Sequence, residues 1–158
     1  MQKITPFLWF DDNAEEAVNF YMSVFKNSKV NSVTRYGSAG PGEPGKVMTI
    51  SFEIEGLTLT ALNGGPYFKF TEAISLEVAC VSQAEVDELW DKLTADGGEP
   101  SQCGWLKDKF GLSWQIVPTA MMEFIQGSDP AGAQRAMAAM LKMSKLDLAV
   151  LRQAYAGA

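Results

Sequence analysis

The order strand, helix, then further strands occurs twice in this chain, and that repetition restricts the fold more than any other feature. In the first pass, residues 4–10 alternate as a strand, Leu8 and Phe10 on one face, Thr5, Phe7 and Trp9 on the other. Asp12-Asn13-Ala14-Glu15 has the form of a capping box. Ala14, Ala17, Val18 and Tyr21 then recur at helical spacing, which predicts a helix to about Phe25. Residues 29–36, 47–54 and 57–62 read as strands, the last two joined at Glu55-Gly56. The second pass starts at residue 73. Ile74, Leu76, Val78 and Cys80 share one strand face and Ser75, Glu77 and Ala79 the other. Ser82-Gln83-Ala84-Glu85 is a second capping box, followed by a helical stripe of Val86, Leu89, Trp90 and Leu93 that stops at Asp96-Gly97-Gly98. Strands over residues 100–106 and 112–117 complete the unit. The expected fold class is α+β, with two tandem βαβββ modules over residues 1–63 and 73–118.

The last two strands form a hairpin about Asp108-Lys109-Phe110-Gly111, where glycine supplies a positive φ. On the return strand Leu112, Trp114 and Ile116 point one way and Ser113, Gln115 and Val117 the other, until Pro118 ends the ladder. A sheet with tryptophan on one face and glutamine on the other has a packed side and a wet or ligand-filled side.

Between the modules, Asn63-Gly64-Gly65-Pro66 lacks the lysine and the following helix of a phosphate loop and reads as a linker. Tyr67, Phe68 and Phe70 follow at a density that implies they cover something apolar. The glycine-rich run 37–45 is a solvated loop or a lid. After Pro118 a helical extension begins, assigned to the same domain as residues 119–158. It has a short helix over 119–125, a second capped by Asp129-Pro130 with Met137, Met140 and Leu141 as its stripe, and a third after Ser144-Lys145-Leu146-Asp147. Methionine-rich helices of this kind dock on their own body or on a partner subunit.

Composition removes whole classes of chemistry. There is no histidine, so Ser-His-Asp and Cys-His catalysis and histidine-rich metal sites are excluded within one chain. Cys80 and Cys103 are too few for a thiolate cluster and are expected as free thiols of a cytoplasmic protein. A net charge of −6 argues against nucleic acid or an anionic membrane as partner. The amino-terminal residues do not form a signal peptide, and no apolar run is long enough to span a bilayer.

Asp-x-x-Gly, then a short strand with a polar residue four positions after the glycine, resembles the last hairpin of the vicinal-oxygen-chelate superfamily. That superfamily includes glyoxalase, fosfomycin-resistance and bleomycin-resistance proteins. The string Asp108-Lys109-Phe110-Gly111-Leu112-Ser113-Trp114-Gln115-Ile116-Val117-Pro118 is similar more narrowly to its PhnB-like branch, whose members are often labelled demethylubiquinone methyltransferases. Lys142-Met143-Ser144-Lys145 and the helix behind it resemble the same branch. The resemblance implies paired modules forming a curved, mostly antiparallel sheet around a cup, and a homodimer. Metal-dependent relatives carry a glutamate where this chain has Gln115. Carried over residue by residue, the relatives' ligand positions fall near Thr5, Thr60, Ser75 and Gln115, none of them histidine or acidic. Hydroxyls and a carboxamide are weak donors for a divalent ion, so no metal and no cofactor are expected.

Strand parity gives the lining of the expected cup as Phe7, Trp9, Thr60, Ser75, Glu77, Cys103, Trp105 and Gln115. Trp9 and Trp105 would stack on a flat ligand, and Ser75 and Gln115 would orient it. The bland alternative is a cup filled by its own side chains. Glu77, among apolar neighbours, would be desolvated and act as a general base, or would pair with Arg35, Lys107 or Lys109. Cys103 is a weak candidate nucleophile, or a small buried hydrophobe. The leading expectation is a metal-independent protein that binds a small aromatic or apolar molecule. The alternatives are a non-metal enzyme using Glu77 or Cys103, and a dimeric interaction module. The methyltransferase label lacks the glycine-rich strand–helix turn that would hold a nucleotide-like methyl donor.

Overall fold

The computed structural model describes residues 1–158 and carries out one construction twice, in the units Met1–Phe70 and Thr71–Ala158. The first unit runs β1 (Phe7–Phe10), α1 (Ala14–Val24), β2 (Ser28–Arg35), β3 (Val47–Ile54) and β4 (Leu57–Asn63). Its strands lie in the order β1-β4-β3-β2, with β1 parallel to β4 and the other pairs antiparallel. Helix α1 buries Ala14, Ala17, Val18 and Tyr21 against β3 and β4, and the Tyr21 ring stacks on Phe52 at 6.4 Å. Leu8 and Phe10 face this core, while Phe7 is 61% exposed, as their alternation requires.

The cap of α1 differs from the sequence expectation. Asn13, not Asp12, is the N-cap, and its side chain makes no capping bond. Asn63, at the end of β4, supplies the acceptor instead: its Oδ1 takes the Ala14 N–H at 2.9 Å, and its Nδ2 donates to Glu15 Oε1 at 2.7 Å. The parallel β1–β4 pairing places Asn63 opposite Phe10, next to the helix start. The glycine-rich loop after β2 folds over the buried ring of Tyr36, and a side chain at Gly42 would strike that ring. Phe68 meets Trp9 edge-on at 4.9 Å and Phe70 meets Phe10 at 5.2 Å, which explains the dense aromatics of the linker.

The second unit runs β5 (Ser75–Cys80), α2 (Gln83–Thr94), a 3-10 turn over Ala95–Gly97, β6 (Glu99–Pro100), β7 (Trp105–Lys107) and β8 (Ser113–Pro118). The order β5-β8-β7-β6, with β5 parallel to β8, reproduces the first sheet. Both are open, mixed four-stranded sheets, each with its helix on one face, so the fold is α+β in two tandem βαβββ modules. Here the cap forms, with the return bond one residue before the N-cap: Ser82 Oγ accepts the Glu85 N–H at 3.2 Å, and Glu85 accepts the Val81 N–H at 2.8 Å.

The single strand expected over residues 100–106 is two short strands, β6 and β7, paired antiparallel as a hairpin. Residues 101–104 form a turn, with Cys103 at φ 55° and Gly104 at φ 86°. Two successive left-handed residues break strand parity. The turn is fastened from outside: Cys103 and Gly104 donate their N–H groups to Met143 and Ser144 carbonyls at 2.9 and 2.8 Å. Ser144 Oγ donates to the Ser101 carbonyl at 2.5 Å.

The extension therefore docks on the body of its own unit. It contains α3 (Met121–Ile125), α4 (Pro130–Met140) and α5 (Leu148–Ala156). Phe124, Ala136 and Leu151 form its small core, with Met121, Met140, Met143 and Tyr155 against them. Asp147 alone of the expected Ser144–Asp147 cap serves as N-cap of α5. Gln83 on α2 holds the connection to α5 with both ends of its amide, donating to the Leu146 carbonyl at 2.9 Å and accepting from the Leu148 N–H at 2.9 Å. No helix is long and apolar enough to cross a membrane.

Candidate functional site

The site grows from the hairpin at the end of the second sheet. Asp108 is 2% exposed and spends its carboxylate on the turn. Oδ1 accepts the N–H groups of Phe110 at 2.9 Å and Leu112 at 3.1 Å, and Oδ2 accepts the Trp114 indole N–H at 2.9 Å. This fixes which way β8 faces. Trp114 and Ile116 are buried toward α2, so Gln115 and Val117 stand on the other face.

On that face Trp105, Gln115 and Glu77 line up across three neighbouring strands, β7, β8 and β5. Gln115 Nε2 donates to Ser75 Oγ at 3.0 Å. Helices α3 and α4 border the same space, an open cavity of about 520 Å³. The sheet contributes Glu77, Ala79, Trp105, Gln115 and Val117; Met121, Met122 and Met140 form the far wall. Cys103 enters from the 101–104 turn, and its thiol donates to the Met140 carbonyl at 3.5 Å.

Four of the expected lining residues, Glu77, Cys103, Trp105 and Gln115, thus share one cavity, and Ser75 joins them through its bond to Gln115. Phe7, Trp9 and Thr60 belong to the first unit, where Phe7 and Thr60 are neighbours across β1 and β4. Trp9 is engaged by its own linker: its indole N–H donates to the Gly65 carbonyl at 2.8 Å and its ring lies against Gly64.

Two expectations for Glu77 fail. Its side chain is exposed rather than desolvated, because the apolar residues on either side of it in sequence face away from it. It also has no cationic partner. Lys107 pairs with Glu72, the Lys109 ammonium lies 5.6 Å from the Phe110 ring centre, and Arg35 donates to the Gly45 carbonyl at 3.0 Å. Cys103 lines the cavity through a turn, not through the strand parity first used to place it.

Both thiols are free, and they differ. Cys80 is fully buried, and burial, with the nearby Glu85 charge, pushes its thiol up to about 11. Ser113, 1% exposed and beside Ser75 in register, has a hydroxyl with no hydrogen-bond partner.

The donor set does not suit a divalent ion. Ser75 and Gln115 are neutral and already bonded to each other, Thr5 is exposed on the first unit, and no three Cys, Asp or Glu side chains gather as metal ligands. Sequence reasoning missed the methionine wall, because a contact between residues 77–117 and 121–140 leaves no local signal. A second cavity of about 400 Å³ lies in the first unit, bounded by Asp11, Asp12, Glu15, Tyr36, Lys46 and Asn63, with Pro41, Gly42 and Glu43 of the glycine-rich run at its edge; strand parity gave no sign of its acidic lining.

Comparison with known proteins agrees with this architecture. The family model described as 3-demethylubiquinone-9 3-methyltransferase matches residues 2–117. A PhnB protein from Bacillus cereus, described by the same methyltransferase name, is 38% identical, with 75% of this chain and 100% of that chain covered and a TM-score of 0.67. Protein PA1353 from Pseudomonas aeruginosa shares the fold at 21% identity, with 75% and 98% covered and a TM-score of 0.62. The fosfomycin resistance protein FosX from Listeria monocytogenes shares it at 17% identity, with 77% and 94% covered and a TM-score of 0.52. No curated protein matches the chain. Because the match spans both modules and includes the hairpin that builds the cavity, the chain belongs to the 3-demethylubiquinone-9 3-methyltransferase, or PhnB-like, family.

Proposed function

We propose that this protein is a metal-independent binder of a small aromatic or apolar molecule, held in the cavity of the second unit. The observation that carries this reading is the make-up of that cavity: about 520 Å³, the size of ordinary ligand sites, with a tryptophan and three methionines around a carboxamide and a carboxylate. Trp105 offers a flat face, the methionine side chains adapt to shape, and the Ser75–Gln115 pair supplies oriented polar atoms.

The family name points to methyl transfer. Against it, the turns that lead from β1 to α1 and from β5 to α2 read Asp11-Asp12-Asn13 and Val81-Ser82, without the glycines that let a backbone approach a nucleotide. An enzyme that uses Glu77 or Cys103 is the second reading, favoured by the presence of both in one cavity. We place the protein in the cytoplasm as a homodimer; the free thiols and the exposed Val30 and Val33 of β2 support these two assignments.

A thermal-shift screen against aromatic metabolites and antibiotics, with and without divalent cations, tests the reading. A true ligand at a hundredfold excess over its Kd stabilises by about 2.7 kcal/mol, a shift of several degrees. Stabilisation by a divalent cation alone would overturn metal independence. Turnover of a hit that stops in Glu77→Gln or Cys103→Ser would favour the enzyme.

A further inference from the structure

We infer that the cavity of the second unit selects flat organic cations, an aromatic ring system bearing one positive charge, over neutral molecules of the same shape. This rests on the cavity being a binding site, as proposed above. Glu77 is the only charged side chain in its lining, and no hydrogen bond or ion pair engages it. The nearby lysine on the same face, Lys107, is committed to Glu72. Glu77 is exposed at this pocket, so its carboxylate stays charged and hydrated, and a cation lying on the pocket floor would find it without a protein competitor.

The other lining groups agree in sign. Gln115 directs its Nε2 to Ser75, and its carbonyl oxygen is left with no protein donor. The Cys103 thiol is turned to the Met140 carbonyl. Glu77 and the Gln115 carbonyl oxygen are thus acceptors that a ligand's positive end can meet. Trp105 adds a ring face, which attracts a cation through its quadrupole. Methionine sulfurs are polarisable neighbours for the same charge. A net charge of −6 favours approach of cations and opposes anions.

The register also sets a size. Trp105, Gln115 and Glu77 occupy one row across three strands. Two strand spacings separate Trp105 from Glu77, roughly 10 Å. A two- or three-ring system lying on Trp105 would bring its charged nitrogen over Gln115 toward Glu77.

The experiment is isothermal titration of the full chain with three matched probes: 1-methylquinolinium, its neutral isostere 1-methylnaphthalene, and anionic 1-naphthoate. The expected result is cation binding about tenfold tighter than the neutral probe, the sum of modest charge–charge and cation–π contributions, and no measurable anion binding. In Glu77→Gln, and again in Glu77→Ala, the cation-to-neutral ratio falls severalfold, to the small remainder that the Trp105 ring supplies. Equal affinity for cation and neutral probe in the parent, lost together in Trp105→Ala, would overturn the charge preference and leave the binding reading standing. Failure of all three probes to bind would overturn both.

Discussion

The indole N–H of Trp114 donates to Asp108 Oδ2 at 2.9 Å, and both residues are 2% exposed. The tryptophan faces the core and the aspartate closes the turn, so this bond ties the hairpin's tip to the body of the sheet. It fixes the side of β8 that faces the cavity.

Asp108→Ala is expected to cost about 3 kcal/mol, since it strands two backbone N–H groups and one indole N–H in a buried place. Trp114→Phe removes one of those bonds and leaves the turn's two. A double-mutant cycle by urea unfolding should show coupling between Asp108 and Trp114 of about 1 kcal/mol or more. Additive effects would mean the bond is not formed in solution.

The parent protein is expected to melt at the same temperature with manganese(II), magnesium or EDTA, because Ser75 and Gln115 offer only neutral oxygens and satisfy each other. A Ser75→His, Gln115→Glu double variant places two ordinary ligands at adjacent positions and should gain a metal-dependent rise in Tm. A metal response in the parent would contradict the account of these two residues.

Maleimide at pH 8 is expected to label Cys103 and spare Cys80. Buried thiols with a raised pKa have almost no thiolate at that pH. Cys103→Ser should abolish the fast labelling, as read by intact mass. Cys80 also predicts an alkaline effect. Its thiol is raised from 9.0 to about 11 on folding, so the folded state favours the protonated form. That stabilisation is whole below pH 9 and is lost as pH rises toward 11, an effect of about 2 kcal/mol. Relative to Cys80→Ala, the parent's urea midpoint should fall across that window; parallel curves would refute the burial argument.

Gln83 and Gly104 fasten the carboxy-terminal extension from two sides. Gln83→Ala leaves a carbonyl and an N–H without partners and should cost about 2 kcal/mol. At Gly104 a new Cβ would come within 2.9 Å of Leu146 and 3.0 Å of the Ile116 carbonyl, at a φ that side chains rarely adopt. Gly104→Ala should therefore destabilise by about 2 kcal/mol or more. Both variants should bind cavity ligands more weakly than the parent under conditions where they remain folded, because Met140 belongs to the element they loosen.

The sequence made the sheets readable because β8 and β1 alternate without interruption, and each module buries one strand face under an amphipathic helix. It could not show that residues 101–104 leave the strand, since nothing local marks Cys103 for a left-handed conformation; Met143 and Ser144 hold it there from far along the chain. The α1 cap was misread for the same reason, as Asn63 lies 49 positions from the N–H it accepts. Glu77 misled differently. Its apolar neighbours in sequence point to the opposite face, so they say nothing about how dry its own side is.

The methionine wall stands on helices that come after the last strand, joined to the sheet at the 101–104 turn and at Gln83. Floor and roof of the chamber are consequently encoded in separate stretches of the gene product. Changes at Met121, Met122 or Met140 can reshape the space while the strands and α2 are left alone. Family members that share the sheet but differ in this segment would be expected to hold different guests.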